Sequence, residues 1–432
     1  MFRGLSNIFK VGDLRRKVVF TLLMLVVFRI GTHVPVPNVN VEILQQSAQS
    51  NFLGFLNTFS GGALQNFSVF AMGIMPYITA SIIMQLLSMD VVPKFTQWSK
   101  EGEVGRRKIA QLTRYGTIVL GFIQSIGMTI GFNRMYPGLV SDTSWSSYAL
   151  IALTLTAGTA FLMWLGEQIT EKGIGNGISL IIMAGIVAAV PNGITTIIQT
   201  QFGDANNQVF FGILKLIGVF LVIVALIVGV IFMQQGIRKI PVQYAKRVVG
   251  RKMTGGQSTH IPLKINSAGV IPVIFSVSLV MFPSTIASFW VNPQGTGIAT
   301  WIYNNFQVNA PLGMTLYAFL IIGFTYFYTF VQVNPAQMSE NMRKNGGYIP
   351  GIRPGKNTEV YITRTLNRLT LAGALFLTFI SIMPFFFSAI AQLPQSIYIG
   401  GTSLLILIGV VLDTMKQIES QMIKRHYEGF IK

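Results

Sequence analysis

Residues 68–87 read SVFAMGIMPYITASIIMQLL, an uncharged stretch that is long and apolar enough to cross a bilayer. Within it, GIMPYI (73–78) follows the pattern G-x-x-P-x-I, and GVIPVI (269–274) repeats that pattern much later in the chain. A proline inside a membrane helix removes one backbone hydrogen bond and permits a kink near the midplane. We therefore expect a kinked membrane helix at each motif.

Apolar runs of this length recur along the whole chain. They predict ten membrane spans, near 18–36, 68–88, 111–132, 147–166, 178–198, 211–233, 267–289, 312–333, 368–390 and 398–415. Only 11% of the residues are charged, against about a quarter in soluble chains, and the mean hydropathy is +0.57. The predicted fold class is an all-α polytopic membrane protein.

The two motifs occupy equivalent places if the ten spans divide into halves of five, 1–200 and 201–432. Each motif then lies in the second span of its half. Halves with an odd number of spans cross the membrane in opposite directions, so the pattern predicts two inverted five-helix halves with a pathway between them. Two unrelated kinked helices are the alternative.

The basic residues indicate how the chain is oriented. The sequence has 32 Lys and Arg against 14 Asp and Glu, a net charge of +18. With the N-terminus in the cytoplasm, 29 of the 32 basic residues lie in cytoplasmic segments and Arg134 lies outside. Arg29 and Lys215 fall within spans, close enough to the outer surface to snorkel. Both termini are therefore predicted to be cytoplasmic.

Missing residue types exclude several functions. The chain has no Cys and three His, so we expect no metal and no other cofactor. It has no G-x-x-x-x-G-K-[ST] motif, no acid in the middle of a span and no nucleophile with a base beside it, so we expect no enzyme. A passive channel and a secondary transporter for a small neutral solute both fit, but a transporter needs a polar site at mid-membrane.

The segment 52–66, FLGFLNTFSGGALQN, is apolar but too short and too rich in glycine to span the membrane. Its large apolar residues are spaced to form one helix face: Phe52, Phe55, Leu56 and Phe59. Gly61 and Gly62 would end or bend that helix. Such a segment must be covered by protein or line a cavity, so we predict a re-entrant half-helix that fills a funnel on the outer side. The alternative is a helix lying flat on the outer leaflet.

Two cytoplasmic loops, 235–266 and 335–368, are long and basic beyond what orientation requires. Each has turn residues at an expected tip, Gly255–Gly256 in the first loop and PGIRPG (350–355) in the second. Arg353 stands between two Pro-Gly pairs, which limit the freedom of the loop that presents it. The pattern predicts a surface for a partner, and a solvated turn is the alternative.

Several stretches resemble the SecY family of the bacterial Sec protein translocase, and the match runs through essentially the whole chain. They are the stretch 68–87 quoted above, EKGIGNGISLIIMAGIV (171–187), YAKRVVGRKMTGGQSTHIPLKINSAGVIPVIF (244–275), PGIRPG (350–355) and GGTSLLI (400–406). The resemblance implies a protein-conducting channel with an hourglass pore between two five-helix halves. It would carry unfolded secretory polypeptides across the plasma membrane and release hydrophobic segments laterally into the bilayer.

The resemblance also implies a pore ring, a plug and a lateral gate. The ring would consist of Ile74, Ile78, Ile182, Ile186, Ile274 and Ile406. The pairs 74/78 and 182/186 are spaced i, i+4 and so share a helix face, and a narrow apolar ring excludes ions by dewetting. The segment 52–66, with Leu64, would be the plug. The lateral gate would include Thr79, Gln85, Ser278 and Phe282.

The partners that the resemblance implies are the small subunits SecE and SecG, the motor ATPase SecA and the ribosome. SecE would clamp the back of the two halves. SecA and the ribosome would dock on the two basic loops through Lys246, Arg247, Arg251, Lys252, Arg353 and Lys356. Arg353 would be the residue most closely tied to motor coupling.

Overall fold

A computed structural model of the chain describes residues 12–47, 60–88, 92–202, 209–244, 247–249, 252–254, 258–287, 297–308, 310–391 and 401–428. Six of the predicted site residues lie outside this part of the chain: Phe52, Phe55, Leu56, Phe59, Lys246 and Arg251.

The described part of the chain is mainly helical. The first half contains α1 (Gly12–Gly31), α2 (Val41–Ser47), α3 (Met75–Leu87), α4 (Pro93–Lys100), α5 (Glu103–Met135), α6 (Trp145–Lys172) and α7 (Gly177–Phe202). The second half contains α8 (Val209–Gln235), α9 (Ile271–Ala287), α10 (Ile298–Asn305), α11 (Pro311–Gln332), α12 (Pro335–Lys344), α13 (Lys356–Ala391) and α14 (Thr402–Glu428).

A helix lies at each of the ten predicted spans. These helices are α1, α3, α5, α6, α7, α8, α9, α11, α13 and α14. Within the described residues, four helical segments are long and apolar enough to cross a membrane, and four further apolar helices are shorter. The shorter ones include α3 and α9, the two helices that carry the repeated motif.

The two G-x-x-P-x-I motifs share one local conformation, and it is a helix start. Gly73 (φ 56°) and Gly269 (φ 67°) lie in the left-handed region, which glycine adopts without strain. Each helix begins two residues after its glycine, so Pro76 and Pro272 fall in the first turn. Proline fits there because a first-turn amide has no intrahelical partner to lose. The predicted kinks at these prolines are therefore wrong.

The basic loop 235–266 contains strands that we did not predict. β1 (Ile237–Tyr244) pairs antiparallel with β4 (Ser258–Lys264), and β2 (Arg247–Val249) pairs with β3 (Lys252–Thr254). The two ladders share one register, since Ile237 faces Lys264 and Val249 faces Lys252. Val249 and Lys252 are the last pair of the second ladder. The predicted tip, Gly255–Gly256, lies outside the described residues.

The two basic loops pack together into one unit, which we call the cytoplasmic unit because the charge pattern predicts that it lies on that side of the membrane. β5 (Gly347–Tyr348) from the second loop pairs with β1 from the first, which gives the strand order β4-β1-β5. Alternate residues of β1 point to the same face, and two of them are buried there. The small core beneath this sheet contains Ile240, Val242, Leu263, Met342, Ile349, Ile362 and Leu366.

In the described part of the chain, helices of the two sequence halves meet at several contacts. Helix α7 packs against α8 and α14, and α9 packs against α3 and α5. One hydrophobic cluster includes buried residues from both halves, among them Ile78 of α3, Phe275 of α9 and Val410 of α14. The central core of the molecule therefore lies at the contact between the halves.

Candidate functional site

The six isoleucines of the predicted ring converge on this central cluster. Ile74, Ile78, Ile182, Ile186 and Ile406 are buried members of it, and Ile274 is half-buried and packs against it. They come from α3 and the turn before it, from α7, from α9 and from α14. At the last position Leu405 belongs to a different cluster from Ile406, so the two neighbours face different cores.

A cavity of about 250 Å³ opens between α3, α5 and α9. Its lining is mainly apolar, and no charged side chain of the described residues lines it. Four of the predicted ring residues line the cavity, as do three of the predicted gate residues: Ile74, Ile78, Ile182, Ile274, Thr79, Ser278 and Phe282. The ring and the predicted gate are thus parts of one continuous apolar space.

The polar side chains of the predicted gate do not bond to each other. The Thr79 hydroxyl donates to the Met75 carbonyl at 3.0 Å, and the Ser278 hydroxyl donates to the Ile274 carbonyl at 2.9 Å. Both bonds stay within one helix. Each hydroxyl bonds to a carbonyl of its own helix, so no hydrogen bond joins Thr79 of α3 to Ser278 of α9 across the cavity.

Gln85 instead bonds to a residue that we did not predict. The Tyr328 hydroxyl on α11 donates to Gln85 Oε1 on α3, so this bond joins the second span to the eighth. The ring of Tyr328 also packs edge to face against Phe275 of α9, with 5.2 Å between the ring centroids. A tyrosine within the apolar run FTYFYTF (324–330) was a usable signal, because a buried phenol hydroxyl needs a partner.

The turn Ser60–Gly62, within the predicted plug segment, lies against a helix of the ring. Gly61 (φ 68°) and Gly62 (φ 88°) both have left-handed backbones. A Cβ on Gly61 would lie 2.8 Å from the Cα of Gly185, which stands between Ile182 and Ile186 on α7. Leu64 is buried in a neighbouring cluster with Phe67 and Leu155. The close approach of two glycines brings this turn next to the ring.

Arg29, which we predicted to lie close enough to the outer surface to snorkel, is half-buried and bonds to the backbone of the predicted plug segment. Its Nη1 atom donates to the Gly61 carbonyl oxygen at 2.7 Å. No local sequence pattern indicates this contact, because the two residues are 32 positions apart and an arginine near a span end ordinarily reaches water.

The four predicted docking residues that the structure describes, Arg247, Lys252, Arg353 and Lys356, lie on the cytoplasmic unit. Its loop 350–355 is held from both sides. The Thr358 hydroxyl donates to the Arg353 carbonyl at 3.1 Å, and the Ser339 hydroxyl donates to the Gly355 carbonyl at 2.7 Å. The Arg353 side chain is exposed, and so is that of Lys356 at the start of α13. Arg247 and Lys252 lie on β2 and β3.

Another basic residue of the same unit, Lys344 on α12, forms an ion pair. Lys344 Nζ lies 2.9 Å from Glu340 Oε1, and the hydrogen bond from Lys344 lowers the pKa of the Glu340 carboxyl. Lys344 therefore has an acidic partner, whereas Arg353 forms no ion pair with any acid in the part of the chain that is described.

Solved structures with the same fold define the class of protein. One, described as a protein-conducting channel, matches with a TM-score of 0.64 and 18% identity, over 95% of this chain and 93% of its own. Sec61 in the canine ribosome–channel complex from the endoplasmic reticulum matches with a TM-score of 0.61 and 18% identity, over 95% and 93%. The fold is that of the protein-conducting channels, which confirms the all-α polytopic fold class.

Sequence relatives then identify the family. The SecY family model matches residues 68–415. The protein translocase subunit SecY of Halalkalibacterium halodurans is 65% identical over 432 residues, and that of Bacillus subtilis is 60% identical over 434 residues, each over 100% of both chains. The chain belongs to the SecY family, as the resemblance predicted.

Proposed function

We propose that this chain is the channel-forming subunit of a protein translocase. It carries unfolded secretory polypeptides across the plasma membrane and releases hydrophobic segments laterally into the bilayer. The observation that carries the proposal is the convergence of isoleucines from both halves on one apolar cluster, beside a cavity that opens between the halves. The halves are residues 1–200 and 201–432, and the path of the polypeptide runs between them.

In this proposal the isoleucines form the seal of the pore. Branched aliphatic side chains at a constriction expel water, so hydrated ions do not pass when the channel is at rest. The same side chains offer no hydrogen bonds to a passing polypeptide, so its backbone does not bind to them. Burial of five of the six residues and the half-burial of Ile274 support this role.

The lateral gate lies along the cavity between α3, α5 and α9, and it includes Thr79, Gln85, Ser278 and Phe282. Phe282 is 46% exposed and also lines the cavity, as a residue at an opening toward lipid would. Tyr328 joins this set because its bond to Gln85 ties the second span to the eighth. Opening the gate breaks that bond.

The energy for transport comes from partners, SecA or a translating ribosome, and the chain itself is no enzyme. Both partners dock on the cytoplasmic unit through Lys246, Arg247, Arg251, Lys252, Arg353 and Lys356. The relative solved as part of a ribosome–channel complex supports the ribosome as a partner. SecE and SecG complete the membrane complex, and both chain termini are cytoplasmic.

Reconstitution tests the proposed function. The chain is purified with its partner subunits, placed in vesicles and supplied with SecA, ATP and an unfolded secretory protein. We expect ATP-dependent protection of that protein from added protease. The control is the same substrate locked in its folded state, which should stay unprotected. A complex that takes up small neutral solutes but protects no polypeptide would overturn the proposal in favour of a transporter.

A further inference from the structure

The contact between Arg29 and Gly61 joins the outer end of the first span to the turn beside the pore ring. Arg29 is the third residue from the end of α1 and is half-buried. Its 2.7 Å bond to the Gly61 carbonyl has the length of a charge-assisted hydrogen bond, which is shorter and stronger than a neutral one. Among the described residues no acid pairs with Arg29, so this carbonyl is the group that compensates its charge.

The position of Arg29 is itself fixed by its neighbours. The Thr32 hydroxyl donates to the Arg29 carbonyl at 2.7 Å, which closes the end of α1. Phe28, the preceding residue, is buried and stacks on Phe70 with 6.3 Å between the ring centroids. The guanidinium therefore extends from a rigid helix end.

The turn that Arg29 holds has little room on its other side. The side chain of Ser60 is buried, and its hydroxyl accepts a hydrogen bond from the Leu64 amide at 3.2 Å. Gly61 stands so close to Gly185 that even a methyl group would collide with the α7 backbone. The turn is thus clamped between Arg29 and the helix that carries Ile182 and Ile186.

We propose that Arg29 is a latch: its bond to the Gly61 carbonyl holds the Ser60–Gly62 turn against the pore ring and must break before the channel opens. This inference rests on the proposed function, since only a channel needs the turn to leave. Arg29 is a positioning residue, because it acts on the pore only through the turn that it holds.

A single thiol in the turn tests the latch. The chain has no Cys, so Ser60→Cys introduces its sole thiol. A membrane-impermeant maleimide is added to the outer face of sealed vesicles that contain the whole complex. We expect R29Q to raise the rate of modification about tenfold, since the loss of a hydrogen bond to a charged group shifts an equilibrium by at least that factor. R29K, which keeps the charge on a shorter donor, should give an intermediate rate.

Two comparisons make the test decisive. R134Q removes another basic residue on the predicted outer side, and it should leave the modification rate unchanged. Adding a signal peptide to the parent with intact Arg29 should raise its rate toward that of R29Q. Equal rates in R29Q and the parent would overturn the latch. If R29Q does not assemble, R29K decides: a rate equal to the parent's overturns the proposal, provided that its thermal stability is unchanged.

The thiol assay requires no transported protein, so the two proposals fail separately. If vesicles protect no polypeptide while the thiol still responds to R29Q, the channel function is wrong and the bond is real. If transport is normal while the thiol does not respond, the channel function stands and the latch is wrong.

Discussion

At the scale of single residues, the shape of the isoleucine side chain determines what the ring can seal. Ile78 is 8% exposed and lies in the central cluster. An amide at this position offers hydrogen bonds to water, so it reverses the dewetting on which an apolar seal depends.

We expect I78N or I274N to let ions leak through the resting channel. Lowering the barrier by about 1.4 kcal/mol raises conductance about tenfold, which planar bilayers with the reconstituted complex would detect. The matched control is I83N, because Ile83 lies on the same helix but is 41% exposed. Resting conductance that is equal in all three variants and the parent would contradict the ring.

Tyr328→Phe tests the bond that we assign to the gate. The change removes the hydroxyl that donates to Gln85 and keeps the ring that packs against Phe275. A hydrogen bond contributes about 0.5–1.5 kcal/mol, so the closed state should lose up to about tenfold in population. We expect transport of substrates with defective signal sequences to increase.

The control for this prediction is Tyr326→Phe on the same helix. The Tyr326 hydroxyl is 3.4 Å from the Asn367 carbonyl and donates to it within the second half only. Tyr326→Phe should leave the requirement for a signal sequence unchanged. If the two variants behave alike, the bond between Gln85 and Tyr328 does not hold the gate.

Single residues were predictable where the type of side chain decides the outcome, and not where a distant partner does. The apolar spacing of Ile182 and Ile186 indicated one helix face, and the structure buries both. The partners of Arg29 and Tyr328 lie 32 and 243 positions away. Such pairings depend on how the helices pack against each other, and a local sequence pattern does not predict that packing.

At the scale of elements, the G-x-x-P-x-I motif is a device for starting a helix inside the protein. The left-handed glycine turns the chain, and the proline occupies the first helical turn, where it fits best. Residues 69–74 are therefore turns, although they belong to the same apolar run as the helix that follows. Hydropathy alone cannot place that boundary, because both parts of the run are apolar.

Replacing Gly73 or Gly269 by alanine should destabilise the protein through the backbone. A Cβ on Gly269 meets nothing within 4 Å, and one on Gly73 comes no closer than 3.8 Å to Ser60, so there is no steric clash. The left-handed conformation costs a residue with a side chain about 1–2 kcal/mol. We expect G73A and G269A to lower the thermal unfolding temperature of the solubilised complex.

Gly323 provides the control, because it lies within α11 and a Cβ there also meets nothing within 4 Å. G323A should be neutral or slightly stabilising, since alanine favours the helix over glycine by up to about 1 kcal/mol. If G73A and G269A unfold at the same temperature as G323A, the motif is not a conformational device.

The strands of loop 235–266 show a second limit of the sequence. Ile240 and Val242 are buried and alternate with exposed residues, as in a strand with one buried face. That signal is short and stands among basic residues, whereas the helices are indicated by runs of about 20 apolar residues. The pairing of β1 with β5 joins positions about 100 residues apart, and it is this contact that unites the two loops.

At the scale of the whole molecule, the net charge of +18 has two uses. In the topology that we propose, most basic residues orient spans, and this use needs charge but no fixed geometry. The cytoplasmic unit is different, because a shared core and a bonded loop fix the backbone that carries Arg353 and Lys356. A surface of this kind suits a partner that must transmit force.

Arg353→Glu should therefore abolish SecA-driven transport and leave the channel intact. The loop is held by the Arg353 carbonyl, which accepts from Thr358, so the exposed guanidinium can be reversed without loosening the fold. An arginine at the centre of an interface contributes about 2 kcal/mol or more, which is about 30-fold in affinity. Titration of SecA against the reconstituted complex would measure that loss.

The matched control is R106E, because Arg106 is also exposed but lies near the start of α5, in a different segment that we predict to be cytoplasmic. Both variants should insert into the membrane and co-purify with SecE, since neither side chain is buried. Only R353E should lose SecA-driven transport. Normal SecA affinity and normal transport in R353E would show that loop 350–355 is only a solvated turn. The proposed docking surface would then consist of the basic residues of the β2–β3 ladder alone.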